Sequence, residues 1–204
     1  MPSIYDIKPG FQNLLRPFVR FLANWGITAN HVTIAAVILS AVAGASLFIW
    51  ADHSWPFLCL PFVLLARMGM NAIDGMLARE HHMKTRLGAI LNELGDVVSD
   101  SVIYLPFGFI PGLSAPLVVG IVTLALISEM TGVVAVQIGS ARRYDGPMGK
   151  SDRAFAFGIL ALAVGFGCSA FLWLNVFLGI VLLLLIITIF NRARMALRVT
   201  SDED

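Results

Sequence analysis

The stretch RMGMNAIDGMLAREHHMKTRLGAILNELGDVVSD, residues 67–100, begins inside one apolar segment of the sequence and ends inside the next. Within both segments, charged and carboxamide side chains interrupt what otherwise has the composition of a membrane span. Ionisable groups at such positions are costly unless they have a partner, water or a ligand, so they mark a candidate functional site. The polar residues of the two segments are Arg67, Asn71, Asp74, Asn92, Asp96 and Asp100.

The spacing of these residues predicts one polar stripe on each of two neighbouring helices. In the first segment they follow one another at steps of four and three residues, and in the second at steps of four. Residues three and four apart share a helix face, and the short charged connection allows the two helices to run antiparallel. We therefore expect a cluster of oxygen ligands near this connection, which would suit a hard cation such as Mg²⁺ or Mn²⁺.

A motif that crosses both segments, from Asn71 to Asp96, resembles the signature of the CDP-alcohol phosphotransferases, also called CDP-alcohol phosphatidyltransferases. The family signature is D-x2-D-G-x2-A-R-x8-G-x3-D-x3-D, and this chain has N-x2-D-G-x2-A-R-x8-G-x3-N-x3-D. Every spacing fits, and the first and third aspartates of the pattern are Asn71 and Asn92 here. Some bacterial members resemble this variant form.

The resemblance implies a membrane transferase of phospholipid biosynthesis that moves a phosphatidyl group from CDP-diacylglycerol to a polar alcohol and releases CMP. It implies one or two Mg²⁺ or Mn²⁺ ions on the motif's aspartates, with the asparagines still offering neutral oxygens. Because two negative charges are lost, a second ion should bind more weakly. The implied metal ligands are Asn71, Asp74, Asn92 and Asp96, and Asp96 is also the implied base that deprotonates the acceptor.

The resemblance also implies which residues hold the CDP moiety. The D-G-x2-A-R part of the motif grips the nucleotide, and an upstream threonine belongs to a Thr-x-Asn-x-x-Thr arrangement that family members often have. A helix N-terminus at that point can hold phosphate, although plain helix capping explains the same residues equally well. The implied nucleotide-binding residues are Thr33, Asp74, Gly75, Ala78, Arg79 and Gly88.

A basic, turn-rich segment at residues 142–153 lies beside the mouth of the predicted site. Its cations can bind phosphate, Arg through a two-pronged contact and Lys as a point charge, although such clusters also keep loops in the cytoplasm. Relatives that resemble this chain use the equivalent Lys and Arg in the acceptor site, which favours Lys150 and Arg153 ahead of Arg142. An anionic acceptor would follow, such as a phosphorylated polyol like glycerol 3-phosphate.

Three further ionisable residues are predicted to support the site. Arg67 lies near the middle of its apolar segment and is expected to pair with a buried carboxylate, either Asp100 or Glu129. Asp100, one turn beyond Asp96, can supply a missing negative charge. Glu129 is either the partner of Arg67 or part of the wall of the polar cavity.

The composition, 58% hydrophobic and 13% charged, indicates an all-α integral membrane protein. We expect an N-terminal interfacial amphipathic helix within residues 1–30, a domain of six transmembrane helices over residues 31–192, and a cytoplasmic tail at residues 193–204. The predicted spans are approximately residues 31–50, 55–79, 87–108, 115–139, 153–168 and 171–190.

The distribution of positive charge predicts the orientation in the membrane. Of the 14 Lys and Arg residues, 13 lie in the N-terminal segment, the loops at 79–86 and 141–153, and the C-terminal end from residue 192 onward. The positive-inside rule therefore places both termini and the motif loop in the cytoplasm, as in a multi-pass protein of the bacterial inner membrane. The net charge of +1 gives no indication of a nucleic-acid partner, and the resemblance implies a possible homodimer.

Three other interpretations remain open. Polar residues on facing membrane helices can hold the helices together without any chemistry. The two asparagines also suit a catalytically weakened CDP-lipid-binding scaffold, in which restoring aspartate at both positions would raise turnover. A transporter would use Arg67, Asp100 and Glu129 as a relay, but the sequence lacks an inverted repeat and its polar residues gather on one side.

Overall fold

The structure, a computed structural model, describes residues 4–169 and 171–200. Within these residues the chain is entirely helical, as the sequence predicts, and no strand is found. The helices are α1 (Ile4–Asn24), α2 (Ala29–Ile49), α3 (Ser54–Glu80), α4 (Arg86–Tyr104), a 3-10 helix (Leu105–Phe109), α5 (Ala115–Gln137), α6 (Lys150–Gly165) and α7 (Phe171–Thr200).

Polar caps fix where three of these helices begin. The Thr28 hydroxyl accepts a hydrogen bond from the His31 amide at 3.3 Å at the start of α2, and the Thr85 hydroxyl accepts one from the Gly88 amide at 2.9 Å at the start of α4. Before α6, the Asp152 carboxylate accepts a hydrogen bond from the Gly149 amide at 2.9 Å. Such caps satisfy amide groups that have no partner within the helix.

A central apolar core holds the helices in pairs. Helix α2 packs against α3 and α4, α3 packs along α6, and α5 packs along α7. In the centre, the Tyr104 and Phe157 rings stack with centroids 4.0 Å apart, and Phe107 meets Phe157 edge-on at 5.3 Å. Gly44 allows α2 to approach α4 closely, because a Cβ atom at this position would overlap the backbone carbonyl of Val102.

Helix α1 is amphipathic, as predicted. Its Val19 is fully buried against the start of α2 and the end of α3, whereas Leu14 is 77% exposed and Trp25 is 72% exposed. Arg16 anchors the helix through an ion pair with Glu80 at 3.1 Å. The exposed apolar side chains suit a helix that lies in the membrane interface.

Four of the six predicted membrane spans are helices long and apolar enough to cross a bilayer: Ala29–Ile49, Ser54–Glu80, Ala115–Gln137 and Phe171–Arg198. The count of six is not confirmed, because α4 carries Glu93, Asp96 and Asp100, and α6 has only 16 residues. A helix of that length spans roughly 24 Å, less than the roughly 30 Å of a hydrocarbon core. Helix α7 continues to Thr200, past the domain boundary predicted at residue 192.

Candidate active site

A cavity of about 360 Å³ lies where the start of α2, the end of α3 and the start of α4 meet. All the residues implied to bind the nucleotide line it, although they come from three helices. These residues are Thr33, Asp74, Gly75, Ala78, Arg79 and Gly88, together with Asn92. Asn30, Lys84 and Thr85 were not predicted to belong to the site, but they also line this cavity.

Asp74 ties these three helices together. Its side chain is buried, and its Oδ2 atom accepts hydrogen bonds from the Thr33 hydroxyl of α2 at 2.8 Å and from the Asn92 carboxamide of α4 at 3.3 Å. Two polar residues predicted for different roles therefore converge on one carboxylate oxygen. Because these hydrogen bonds join α3 to α2 and to α4, they hold together the three helices that line the cavity.

Glycines keep the cavity open. A Cβ atom at Gly88 would lie 2.6 Å from the Asn30 side-chain oxygen and 2.9 Å from the Thr85 hydroxyl. At Gly75, a Cβ atom would come within 3.1 Å of the Arg79 guanidinium. The absence of side chains at these two positions leaves room for a ligand to approach the backbone.

Asp96 lies one turn beyond Asn92 on α4. It belongs to a second group of charged residues, here called the second cluster, which consists of Arg67, Glu93, Asp96, Asp100, Glu129, Arg142, Lys150, Arg153 and Arg192. Lys150, at the first turn of α6, forms an ion pair with the Asp96 Oδ1 atom. The Arg67 guanidinium is 3.9 Å from the same atom and donates to the Asp96 backbone carbonyl at 3.1 Å. The Asp96 side chain is 26% exposed, so this carboxylate is only partly buried.

Asp100 is buried one turn deeper and holds two arginines. The Arg67 Nη1 atom lies 2.6 Å from its Oδ1, and the Arg153 Nη2 atom lies 2.9 Å from its Oδ2. Of the two partners expected for Arg67, the structure selects Asp100. One carboxylate offsets only one of the two guanidinium charges, and Arg153 has Glu129 as a second partner at 3.1 Å.

Glu129 of α5 is surrounded by three arginines, one of which, Arg153, also binds Asp100. Its Oε1 atom is 3.1 Å from Arg153, and its Oε2 atom is 3.2 Å from Arg142 and 3.5 Å from Arg192. Arg142 also binds Glu93 at 2.6 Å. The expectation that Glu129 pairs with Arg67 is therefore wrong, because Arg67 pairs with Asp100 and packing brings other arginines to Glu129.

The residues expected to bind the acceptor all lie on this second cluster. Lys150 and Arg142 are partly exposed, with side-chain exposures of 26% and 20%, whereas Arg153 is buried between Asp100 and Glu129. Arg153 thus reaches the site through its carboxylate partners rather than through an open face. Asn71 is half-buried on α3 and does not line the 360 Å³ cavity.

Sequence analysis missed two members of the second cluster. Glu93 was missed because only the four-residue steps in α4 were followed, although it lies three residues before Asp96 and so shares its helix face. Arg192 was attributed to the C-terminal charge cluster, although it is buried and its Nη1 atom donates to the Ser128 carbonyl at 2.6 Å. Its signal was its position four residues after Thr188, which is also buried on α7.

The predicted metal ligands supply two carboxylates and two carboxamides. Among the residues that the structure describes, no group of three or more His, Cys, Asp or Glu side chains is placed to hold a metal. Carboxylate and carboxamide oxygens are nevertheless the donors that Mg²⁺ and Mn²⁺ prefer. With Lys150 already offsetting the charge of Asp96, this donor set fits one divalent ion better than two.

Comparison with protein families gives a match to the CDP-alcohol phosphatidyltransferase model over residues 26–196. The chain is 46% identical over 200 residues to the inner membrane protein YnbA of Escherichia coli, covering 98% of this chain and 99% of that protein. It is 26% identical over 132 residues to a phosphatidylinositol phosphate synthase of Mycolicibacterium smegmatis, covering 63% of this chain and 58% of the synthase.

Among solved structures, the fold is similar to that of phosphatidylinositol phosphate synthase from Mycobacterium tuberculosis. The structure with CDP-DAG bound has a TM-score of 0.72 and 19% identity, covering 88% of this chain and 92% of the other. The structure in complex with manganese and citrate has a TM-score of 0.73 and 20% identity, covering 88% and 87%. At this identity the likeness concerns the fold.

Proposed function

The chain belongs to the CDP-alcohol phosphatidyltransferase family, and we propose that it moves the phosphatidyl group of CDP-diacylglycerol to the hydroxyl of a polar alcohol with release of CMP. It is a membrane transferase of phospholipid biosynthesis. One observation carries the finer proposal: the cavity lined by Asp74, Arg79 and Gly88 lies one helical turn from Asp96, which is paired with Lys150 of α6.

The cavity suits a nucleotide with a pyrophosphate group. Arg79 and Lys84 line it, and neither forms an ion pair with a carboxylate in the described part of the chain. Their charges therefore remain available for the phosphates of CDP-diacylglycerol. A related synthase has been solved with CDP-DAG bound on the same fold.

The proposed reaction is a direct transfer at phosphorus. The acceptor hydroxyl oxygen forms a bond to the lipid-bearing phosphorus, and the bond from that phosphorus to the bridging oxygen breaks, so CMP leaves with the electron pair. Asp96 accepts the hydroxyl proton at its carboxylate. Lys150, paired with Asp96, holds that carboxylate toward the acceptor side of the site.

We propose that Asn71, Asp74, Asn92 and Asp96 hold Mg²⁺ or Mn²⁺, and that the two asparagines define a variant subgroup of the family. The ion would offset negative charge on the pyrophosphate oxygens. The donor chemistry supports this proposal, as does the manganese complex of the related synthase. Lys150 adds a positive charge from the protein itself beside this ion, because it is paired with Asp96.

We propose six membrane crossings with both termini and the active site on the cytoplasmic side of a bacterial inner membrane. Helices α4 and α6 would complete the bundle, since α4 packs against α2 and α6 against α3. The related YnbA is an inner membrane protein. Reporter fusions should place positions 52, 112 and 168 outside, and an inside position at any of them would contradict this topology.

Single-molecule counting in nanodiscs tests the homodimer implied by the family resemblance, and one copy per disc would exclude it.

The decisive experiment is CMP release from CDP-diacylglycerol by the purified full chain with Mn²⁺ or Mg²⁺ and a panel of alcohols. We expect release that requires the metal and is lost in Asp74→Asn. Arg143→Gln is the matched control, because Arg143 pairs with Asp145 outside the site. Metal-dependent binding of CDP-lipid without release under any acceptor would replace the transferase by the scaffold interpretation.

A further inference from the structure

We infer that Glu129 occupies an anion site built by Arg142, Arg153 and Arg192, and that the acceptor alcohol therefore carries no phosphate group. This inference rests on the proposed transferase function and narrows its substrate class. It departs from the sequence-based expectation, which took the basic residues at 142–153 as evidence for a phosphorylated polyol.

The geometry of Glu129 is that of a bound anion. Its two carboxylate oxygens face three guanidinium groups, with N–O distances of 3.1, 3.2 and 3.5 Å. The three arginines come from the loop before α6, from α6 and from α7, so helices remote in sequence converge on one carboxylate. Arginine clusters of this form bind phosphate when the anion is supplied by a ligand; here the protein supplies it.

The charges of the second cluster support the inference that Glu129 fills the anion site. Counted by its side chains alone, without the divalent ion that would offset the pyrophosphate charge, the second cluster holds five cations and four carboxylates, which leaves a net charge of +1. The cations are Arg67, Arg142, Lys150, Arg153 and Arg192, and the carboxylates are Glu93, Asp96, Asp100 and Glu129.

A phosphate monoester brings a charge of about −2 and would make this cluster negative. Without Glu129, the cluster would have a charge of +2 and would match the phosphate. The Glu129 side chain is only 12% exposed, so water does little to screen its repulsion of a second anion.

The cations of the nucleotide cavity differ from those of the second cluster in having no carboxylate partner among the described side chains. Its cations Arg79 and Lys84 make no ion pair with a carboxylate of the described chain, as a site that receives pyrophosphate requires. On the acceptor side each cation already has a carboxylate. A carboxylate placed to repel the wrong substrate is an ordinary source of specificity.

The test uses two pairs of acceptors that differ only in a phosphate: glycerol with glycerol 3-phosphate, and inositol with inositol 1-phosphate. We expect the wild-type chain to release CMP with at least about tenfold higher kcat/KM for the better of the unphosphorylated alcohols than for its phosphorylated partner. Glu129→Gln keeps the shape and removes the charge, and should shift that ratio at least about tenfold toward the phosphorylated member.

Asp145→Asn is the matched control, because Asp145 pairs with Arg143 and not with the arginines of the cluster; it should leave the ratio unchanged. A wild-type preference for the phosphorylated member of both pairs overturns the inference and leaves the transferase intact. This wild-type comparison decides the matter even if the Glu129 variants fail to fold.

A binding measurement separates the inference from the proposed function. Titration with inorganic phosphate, followed by calorimetry, should show saturable binding for Glu129→Gln or Glu129→Ala and none for the wild-type chain. If no acceptor supports CMP release but the variant gains phosphate binding, the transferase proposal fails while the anion site stands. Equal phosphate binding by the wild-type chain and the variant overturns the anion site.

Discussion

Lys150, on the first turn of α6, forms an ion pair with Asp96 in the middle of the polar stripe of α4. The two residues are 54 positions apart in the chain. Their pairing lies between the nucleotide cavity, which Asn92 lines one turn earlier on α4, and the buried Asp100 of the second cluster, one turn later. The candidate base of the reaction thus has a fixed cationic partner before any substrate arrives, and several expectations depend on that arrangement.

The first prediction concerns Asp96 as the proton acceptor. Asp96→Asn should lower kcat for CMP release by about 10²–10⁴-fold, the usual contribution of a general base. Binding of a CDP-lipid without added metal, measured by calorimetry, should change much less, because other residues line the cavity. A variant that turns over at the wild-type rate would remove Asp96 from the mechanism.

The second prediction concerns the cation that Lys150 places beside the metal ligands. In Lys150→Gln, the Kd for Mn²⁺ should fall by about tenfold, or about 1.4 kcal/mol, because the ammonium group no longer competes for Asp96. Titration of free Mn²⁺ by electron paramagnetic resonance measures this without any turnover. Arg143→Gln is the control, because Arg143 pairs with Asp145 outside the site, and a Kd that rises in Lys150→Gln would contradict the idea.

The third prediction concerns the asparagine that replaces a motif aspartate. Asn92 donates to the Asp74 carboxylate at 3.3 Å, so Asn92→Asp would replace this bond by a contact between two carboxylates. Without metal, the free energy of unfolding should fall by about 1–3 kcal/mol. Added Mn²⁺ should restore it, and the rise in Tm with Mn²⁺ should exceed that of the wild-type chain; equal rises would argue against metal at this position.

A double variant that changes both asparagines distinguishes an active enzyme from a catalytically weakened one. If the site works with its asparagines, Asn71→Asp combined with Asn92→Asp should lower CMP release at saturating metal. A large increase in turnover would instead favour the scaffold interpretation.

The fourth prediction concerns the buried carboxylate that holds two helices to α4. Asp100→Asn leaves Arg67 and Arg153 without a full counter-charge in a buried site, and should lower the free energy of unfolding by about 3–5 kcal/mol. Unfolding in mixed micelles measures the change. Arg16→Gln, which removes the exposed ion pair with Glu80, is the control and should leave stability nearly unchanged.

The fifth prediction concerns the room that Gly88 leaves in the cavity. In Gly88→Ala, the new Cβ would displace the Asn30 side chain, and the KM for CDP-diacylglycerol should rise by about tenfold with little change in Tm. Gly69→Ala is the matched control, because nothing lies within 4 Å of a Cβ at that helical position. An unchanged KM in Gly88→Ala would exclude the nucleotide from this part of the cavity.

Much of the architecture was predictable because it depends on local properties of the sequence. Apolar segments, amphipathic spacing and caps such as Thr28 give seven α-helices within the described residues, all near their predicted limits except α7, which continues ten residues further. The number of crossings was harder to predict, because the polar stripe that makes α4 recognisable as a site also makes it less apolar than a typical span.

The amino-acid sequence by itself determined which residues share a helix face, since periodicity depends only on backbone geometry. It therefore identified the stripes through Asp74 and Asp96. Tertiary structure alone decided which stripe faces which neighbour. The pairing of Arg67 with Asp100, the recruitment of Arg192, and the placing of Glu129 among three arginines all depend on how remote helices pack. Buried charges must be neutralised, but sequence spacing does not show which opposite charge will be within reach.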